Sequence, residues 1–503
     1  MPKASKSKVN STAGEKSEKK AKGAEAKSPG QRLADKLFFS LKNCWEGIDA
    51  QTDKEINTFA KSYREMLNRG KTEREFSTAA VELLKKHGFR ELKQLKAASS
   101  ASPRKAADRP FPPGTKVFEH IRGKALVAAI IGKKPLEEGI NMLGAHVDSP
   151  RIDLKQYPLY EDVDFAFLDT HYYGGIKKYQ WTAMPLAMHG VFFDSEGKQI
   201  NVSIGEDEDD PVFVITDLLP HLAQEQMQKK AAELIEGEDL DILAGSRPYN
   251  DEKVKEKVKL HFLSVLHEKY GINEKSFASA EIEFVPAFKA KDLGLDRSMI
   301  GGYGHDDRCC AYTALRALLE LGGSPPERTI LCYLSDKEEI GSFGNTGAYS
   351  HGFENFVAAI AGEDKLRPCF SNSSMLSADV SAAVDPSYIN VFDKKNSSYM
   401  GKGLVINKYT GSRGKSGASD ANAEFCSRVI SMLTQNKIPW QFGEFGKVDK
   451  GGGGTIALHA AKYGIEVLDC GIPVLSMHSP FEVISKIDLY LAYKGYTAFL
   501  KDM

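Results

Sequence analysis

Apolar residues recur at helical spacing near the start of the chain. QRLADKLFFSLKNCWEGI (31–48) and TDKEINTFAKSYREMLN (52–68) each carry one apolar stripe, so two helices are predicted. Thr52 or Asp53 is the expected cap of the second. KAASSASPRKAADRPFPPG (96–114) breaks the periodicity and reads as a connection. Two short apolar runs follow, KALVAAII (124–131) and INMLGA (140–145). Runs of that length predict buried strands, the second leading directly into His146.

From about 155 to 292 the pattern changes. YGGIKKYQWTAMPLAMHGVFFD and KQINVSI alternate like antiparallel strands, and GEDEDDP (205–211) is an acidic turn. ITDLLPHLAQEQMQKKAAELI and DEKVKEKVKLHFLSVLHEKYG have helical spacing, and EIEFVPAFKA returns as a strand. An α+β insertion of about this length within a larger domain is expected. From 293 strands and helices alternate again: CAYTALRALLEL as helix, then TILCYLSD, SMLSADV, GLVINKY, IPWQFGEF and IPVLSMH as strands, and SKIDLYLAYKGYTAFLKDM as the closing helix. That alternation predicts an α/β fold, a mixed sheet covered by helices on both faces. The expected division is a tail at 1–30, a first α/β part at 31–154, the insertion at 155–292 and a second α/β part at 293–503.

Composition narrows the class. The 503 residues are 42% hydrophobic and 27% charged, enough to build a core. Lys and Arg number 67 against 68 Asp and Glu, a balance that argues against nucleic acid or membrane as the main partner. The exception is residues 1–30, with eight Lys against three Glu and almost no large apolar side chains. Such a segment cannot offset its ordering entropy and is expected to be a disordered basic tail. It lacks the apolar centre of a secretory signal. Seven Cys without a CxxC pair suggest reduced thiols in the cytoplasm, and any metal must be held by His and carboxylates.

Five segments carry candidate chemistry, each with acids or His after an apolar strand or at a helix start. They are LGAHVDSP (His146, Asp148), YGHDDRCCAYT (Asp306, Asp307), SDKEEIGS (Glu338, Glu339), LSADVSAAVDP (Asp379) and LSMHSPFE (His478). Individually each has an ordinary structural reading, such as a hydrogen-bonded His or a helix-capping Asp pair. Together, two His and three or four carboxylates form a nitrogen and oxygen ligand set suited to two divalent metals, zinc first and cobalt or manganese as alternatives. In a Glu pair, one member can bind metal while the other takes a proton from water.

In this order the five segments resemble the aspartyl aminopeptidase and vacuolar aminopeptidase I family of cocatalytic zinc peptidases, from about residue 31 to 503. GAHVDSP resembles the family's GAHxDSP, EEIGS its EExGS, SADV its SADM, IPVLSMHS its SPQLAMHS, and DRSMIGGYGHDDR the segment leading to its bridging Asp. The resemblance implies a metalloaminopeptidase that removes single N-terminal residues from short peptides. It implies that His146 and Asp379 bind one metal and Glu339 and His478 the other, with Asp306 bridging. Glu338 would be the general base and Asp148 the partner of His146. The insertion would be a dimerisation domain, with His221 of LLPHLAQ reaching a neighbouring subunit's substrate. Dimers would assemble into a tetrahedral dodecamer. The chain departs from the family where DVSAAVDP replaces DMAHAVHP, putting Ala382 and Asp385 in place of two His, and where Asn407 stands at a Lys position, beside Lys408. These departures leave the preferred first residue, acidic or neutral, open. The glycine loop GGGGTI (451–456) lacks a following GK[ST] and is no P-loop. The rival readings are a metal-dependent deacylase of N-acylated amino acids on the same scaffold, a non-catalytic assembly protein, and a nucleic-acid binder acting through the tail.

Overall fold

The computed structural model describes residues 27–100, 110–194 and 196–503. Nearly all of the expected basic tail lies outside the described residues. The chain divides into two compact units, the described part of Met1–Lys42, and Asn43–Met503. The first carries α1 (Pro29–Leu37), started by Ser28, whose side chain accepts from the Gln31 N–H. The helix expected over 31–48 ends at Leu37. Phe38 is already extended, because Phe, Ser and Asn in FFSLKN favour a helix weakly.

In the second unit, α2 (Ala50–Arg69) is capped by Asp49, not by Thr52 or Asp53: its carboxylate accepts from the Thr52 N–H at 2.7 Å. The stripe Ile56, Phe59, Ala60, Tyr63, Met66 and Leu67 is buried. Helix α3 (Glu73–Lys86) follows, then β1 (Arg90–Glu91) and α4 (Leu92–Ser100), which runs into the segment expected to be a connection. Strands β2 (Lys116–Ile121), β3 (Ala125–Ile130) and β4 (Ile140–His146) begin the main sheet. Next come β5 (Arg151–Asp162), β6 (Phe165–Tyr173), β7 (Leu186–Phe193), β8 (Gln199–Ile204), β9 (Ile242–Gly245), α5 (Lys257–Tyr270) and β10 (Glu281–Pro286). The rest is β11 (Lys291–Leu293), β12 (Met299–Gly302), α6 (His305–Glu320), β13 (Thr329–Ser335), α7 (Gly352–Ala361), α8 (Leu366–Ser371), β14 (Ser374–Ser377), β15 (Ser381–Ala382), β16 (Leu404–Asn407), α9 (Ala423–Gln435), β17 (Trp440–Phe442), α10 (Ala457–Ala461), β18 (Glu466–Gly471), β19 (Pro473–Leu475), β20 (Glu482–Ser485) and α11 (Lys486–Asp502).

The main sheet has the order β1-β2-β3-β13-β4-β14-β18-β16-β17, and its centre, β13-β4-β14-β18, is parallel. Strand alternation sends neighbouring residues to opposite faces. Leu126, Ala128 and Ile130 of β3 join the core beneath α2, α3, α6, α9 and α11, while Val127 and Ala129 join the core beneath α4, α7, α8 and α10. The continuous apolar runs in the sequence reflect this burial on both sides.

A second, antiparallel sheet, β8-β7-β10-β5-β6-β9, has its own core with α5. It spans Arg151–Pro286. The helix expected over 215–235 is not formed: the segment is turns with one short 3-10 turn at Gln226–Gln228. Pro220 lacks the N–H a helix needs, and Leu218, Leu219, Leu222 and Met227 are exposed among the described residues while Ala223 and Ile235 are buried, so much of the apolar stripe is left uncovered. The helix expected over 251–271 begins only at Lys257. A third sheet, β11-β12-β20-β19-β15, completes the unit. All seven cysteines are free thiols, six buried and Cys44 partly so.

Candidate metal centre

The central parallel strands end at one edge, where open α/β sheets gather their ligands. His146, Glu338, Glu339 and Asp379 lie at or just past the ends of β4, β13 and β14, while Asp306 and His478 follow β12 and β19 of the third sheet. His146 closes β4 and pairs in register with Ser335, the last residue of β13. Three residues beyond β13, Glu338 and Glu339 form a single tight turn, ended by Gly341 at φ +93°. Asp379 lies two residues past β14, and His478 three past β19. Asp306 sits at the start of α6, where Asp306 and Asp307 are non-helical. No capping hydrogen bond comes from this pair. Asp307 instead accepts from the His146 backbone N–H at 3.3 Å.

Asp306 is the centre of the arrangement. Its Oδ1 lies 3.2 Å from His146 Nε2 and its Oδ2 lies 3.2 Å from His478 Nε2. Around His146 Nε2, Asp379 Oδ1 stands at 4.0 Å and Glu338 Oε2 at 3.9 Å. Glu339 Oε2 is 3.5 Å from His478 Nε2. Asp148 holds this frame from behind. Its Oδ1 accepts from the Glu338 N–H and its Oδ2 from the Glu339 N–H, each at 3.1 Å, and its Oδ1 is 3.3 Å from His146 Nδ1. Seven of the eight candidates thus meet in one place: His146, Asp148, Asp306, Glu338, Glu339, Asp379 and His478. His221 is not among them; it is exposed in a turn, away from the described lining of the cavity.

The electrostatics call for cations. Burial, reinforced by neighbouring acids, pushes Glu338 up to about 7 and moves Glu339 and Asp379 well above the carboxylate range. Burial alone would lower His146 and His478, but the adjoining carboxylates outweigh it and favour the protonated rings. Among the described residues, Asp306 Oδ1 and Glu339 Oε1 are buried without a hydrogen-bond partner. Ligand atoms of His146, Asp306 and Glu339 lie within 4.8 Å of one another, and those of His146, Asp307 and Asp379 form a second such group. Crowded acids, unpartnered oxygens and imidazole nitrogens are the donor set zinc accepts, so the residues fit a zinc centre.

Several supporting residues had no signal in the sequence. Glu482 Oε2 accepts from the Asp306 N–H at 3.0 Å and its Oε1 from the His478 N–H at 2.8 Å. It holds His478 at φ +64°, a conformation rare for a side-chain-bearing residue. Tyr173 donates to Asp148 Oδ2 at 2.8 Å, and Gly175 O accepts from His478 Nδ1 at 2.9 Å. These partners come from ordinary strand and loop positions or act through backbone groups.

Beside the centre opens a cavity of about 350 Å³, lined also by Asn407, Thr410, Phe445, the glycine loop 452–454, Thr455, Asp469 and Met477. Asn407 is fixed by donating to Gly443 O at 2.7 Å, and Lys408 is turned to Asp420. Among the described residues lining the cavity none is Lys or Arg.

Residues 66–500 match the family described as aminopeptidase I zinc metalloprotease (M18). A probable M18 family aminopeptidase 1 of Clostridium acetobutylicum is 50% identical over 93% of this chain and 99% of its own length. The crystal structure of an M18 family aminopeptidase from Thermotoga maritima is 43% identical, covers 93% of this chain and 100% of its own, and superposes with a TM-score of 0.86. A yeast aminopeptidase 1, solved as a dodecamer, shares the fold at 21% identity and a TM-score of 0.70, over 89% of this chain and 97% of its own. The chain belongs to the aminopeptidase I zinc metalloprotease (M18) family and is a metal-dependent aminopeptidase.

Proposed function

We propose that the centre takes two divalent ions per chain, zinc first, one held by His146 and Asp379 and the other by Glu339 and His478, with Asp306 shared. The observation that carries this reading is Asp306 itself, whose two oxygens each face a different histidine at 3.2 Å. Bound ions supply Lewis-acid polarisation of the scissile carbonyl and of the attacking water. Glu338, less buried than Glu339, takes the proton of that water and returns it to the leaving amine. Asp148 keeps His146 and the glutamate turn in register. The free α-amine of the substrate is drawn by the excess of carboxylates, and the first side chain enters the adjoining cavity.

That cavity carries Asp469 at its wall, where Thr455 donates to it at 2.7 Å, and its described lining offers no cation. Neutral or basic first residues are therefore favoured over acidic ones. The same lack speaks against a deacylase, which needs a cation for the carboxylate of an N-acylated amino acid. The exposed Leu218, Leu219, Leu222 and Met227 support a homo-oligomer, in which the antiparallel sheet pairs subunits and His221 reaches a neighbour's substrate. A dodecamer is the assembly of the yeast protein of like fold. Free, mostly buried thiols suit the cytoplasm, and no described helix is long and apolar enough to cross a membrane.

Aminoacyl-p-nitroanilides with different first residues test the reading, alongside N-acylated analogues and metal analysis. Two divalent ions per chain, cleavage only of free-amine substrates, and neutral or basic residues ahead of Asp and Glu are expected. Full activity after thorough chelation would overturn the metal assignment.

A further inference from the structure

We propose that the segment Tyr173–Gly175, at the end of β6 in the antiparallel sheet, positions both halves of the metal centre from within the same chain. The inference rests on the dinuclear reading above and adds a role for the inserted sheet that does not depend on any second subunit.

The first half is held through Asp148. This carboxylate is fully buried and accepts from the backbone N–H groups of Glu338 and Glu339. It also stands against His146 Nδ1. Asp148 thus fixes the ring of one candidate ligand, whose Nδ1 donates to the Asp148 main-chain carbonyl at 3.0 Å, and its carboxylate fixes the turn that presents both glutamates. The Tyr173 hydroxyl donates to Asp148 Oδ2 at 2.8 Å. Without it, a buried carboxylate oxygen keeps one partner fewer, and the group is freer to rotate. The phenol is itself clamped. The Arg151 guanidinium lies 3.8 Å from the centre of its ring, and Arg151 is bound to Asp153 at 2.7 Å and Glu283 at 3.1 Å, on β5 and β10. The position of Asp148 is therefore referred to three strands of the antiparallel sheet.

The second half is held through His478. Its Nδ1 donates to the carbonyl of Gly175 at 2.9 Å, which leaves Nε2 facing Asp306 and Glu339. The backbone must come very close to do this. A Cβ on Gly174 would lie 3.4 Å from Glu339 Cβ, and one on Gly175 would lie 3.3 Å from His478 Nδ1. Gly174 also sits at φ +75°. The Gly-Gly pair, read from the sequence as part of a strand, is what allows a main-chain carbonyl to reach the histidine.

Two substitutions separate this from general stability. Tyr173→Phe keeps the ring on Arg151 and removes only the donor. Gly175→Ala adds one methyl against His478 without a left-handed backbone to strain. Zinc retention against a graded chelator, kcat and KM, and the melting temperature are measured for both, with the exposed Tyr157→Phe on the same sheet as control. We expect Tyr173→Phe to lose about 10–100-fold in zinc affinity or kcat, the usual effect of removing a partner behind a ligand, with KM little changed. Gly175→Ala should release one of its two ions at lower chelator concentration than the other. Tyr157→Phe should match wild type. Wild-type zinc retention and kcat in both variants would overturn the proposal while leaving the dinuclear reading intact. A wild-type protein that retains no zinc would overturn that reading, and this one with it. Should Tyr173→Phe not fold, the order of zinc release in Gly175→Ala decides the matter.

Discussion

Glu338 and Glu339 are neighbours in the chain, hang from the same carboxylate, and still face different histidines. Glu338 Oε2 is 3.9 Å from His146 Nε2, whereas Glu339 Oε2 is 3.5 Å from His478 Nε2. The difference sets their roles, and amide substitution separates them. Glu338→Gln keeps size but accepts no proton, so metal should stay bound while turnover falls by at least ~10²-fold. Glu339→Gln should lose metal before turnover can be assessed. Metal analysis and kinetics on both variants check this, and the reverse pattern would show the two roles exchanged. At this scale the sequence was informative because a strand end places its next few residues at the sheet edge whatever surrounds them. That is why His146, Glu338, Glu339 and Asp379 could be named from local motifs. Tyr173 and Glu482 could not. A tyrosine in a strand and a glutamate opening a strand have ordinary structural uses, and only the folded path brings one to Asp148 and the other to the Asp306 N–H.

Buried charges tie the antiparallel sheet to the start of α3. Glu73 of α3 pairs with Lys124 at 3.1 Å and with Arg151 of β5 at 3.4 Å. His189 of β7 lies between Glu75 of α3, 2.7 Å away, and Glu206, 3.1 Å away, and Lys71 meets Glu206 at 2.5 Å. Burial pulls the His189 ring down, but hydrogen bonds to Glu206 and Glu75 outweigh it and raise it from 6.5 to about 9. A histidine whose pKa rises on folding stabilises fully below its unfolded value and ceases to do so above its folded one. The stabilisation by His189 should therefore be complete below about pH 6.5 and lost as pH rises through about 9. Melting temperatures of wild type and His189→Gln should differ most at the acid end of pH 6–10 and converge towards pH 10. A gap that stays constant or widens with pH would refute the pairing. None of these partners was visible as a network in the sequence, since each charge is ordinary for a helix or strand surface. The helix expected over 215–235 failed for a related reason: its periodicity was real, but among the described residues Leu218, Leu219, Leu222 and Met227 stay exposed.

For the whole molecule, that unmet apolar stripe is the prediction. Leu218, Leu219, Leu222 and Met227, between 47% and 69% exposed, should lie at a subunit interface. Sedimentation should give a species well above the 55.4 kDa chain, and Leu222→Glu should shrink it. His221→Ala should lower turnover while the assembly and its metal persist, and a fully active monomer would defeat the idea. The thiols carry a consequence of a different kind. Cys309 and Cys310 lie just behind Asp306 on α6, both buried, and burial pushes the Cys309 thiol up to about 11. Alkylating and oxidising agents attack the thiolate, which the folded protein scarcely offers. Modification of those two sulfurs therefore requires the start of α6 to open, and its rate follows how often that happens.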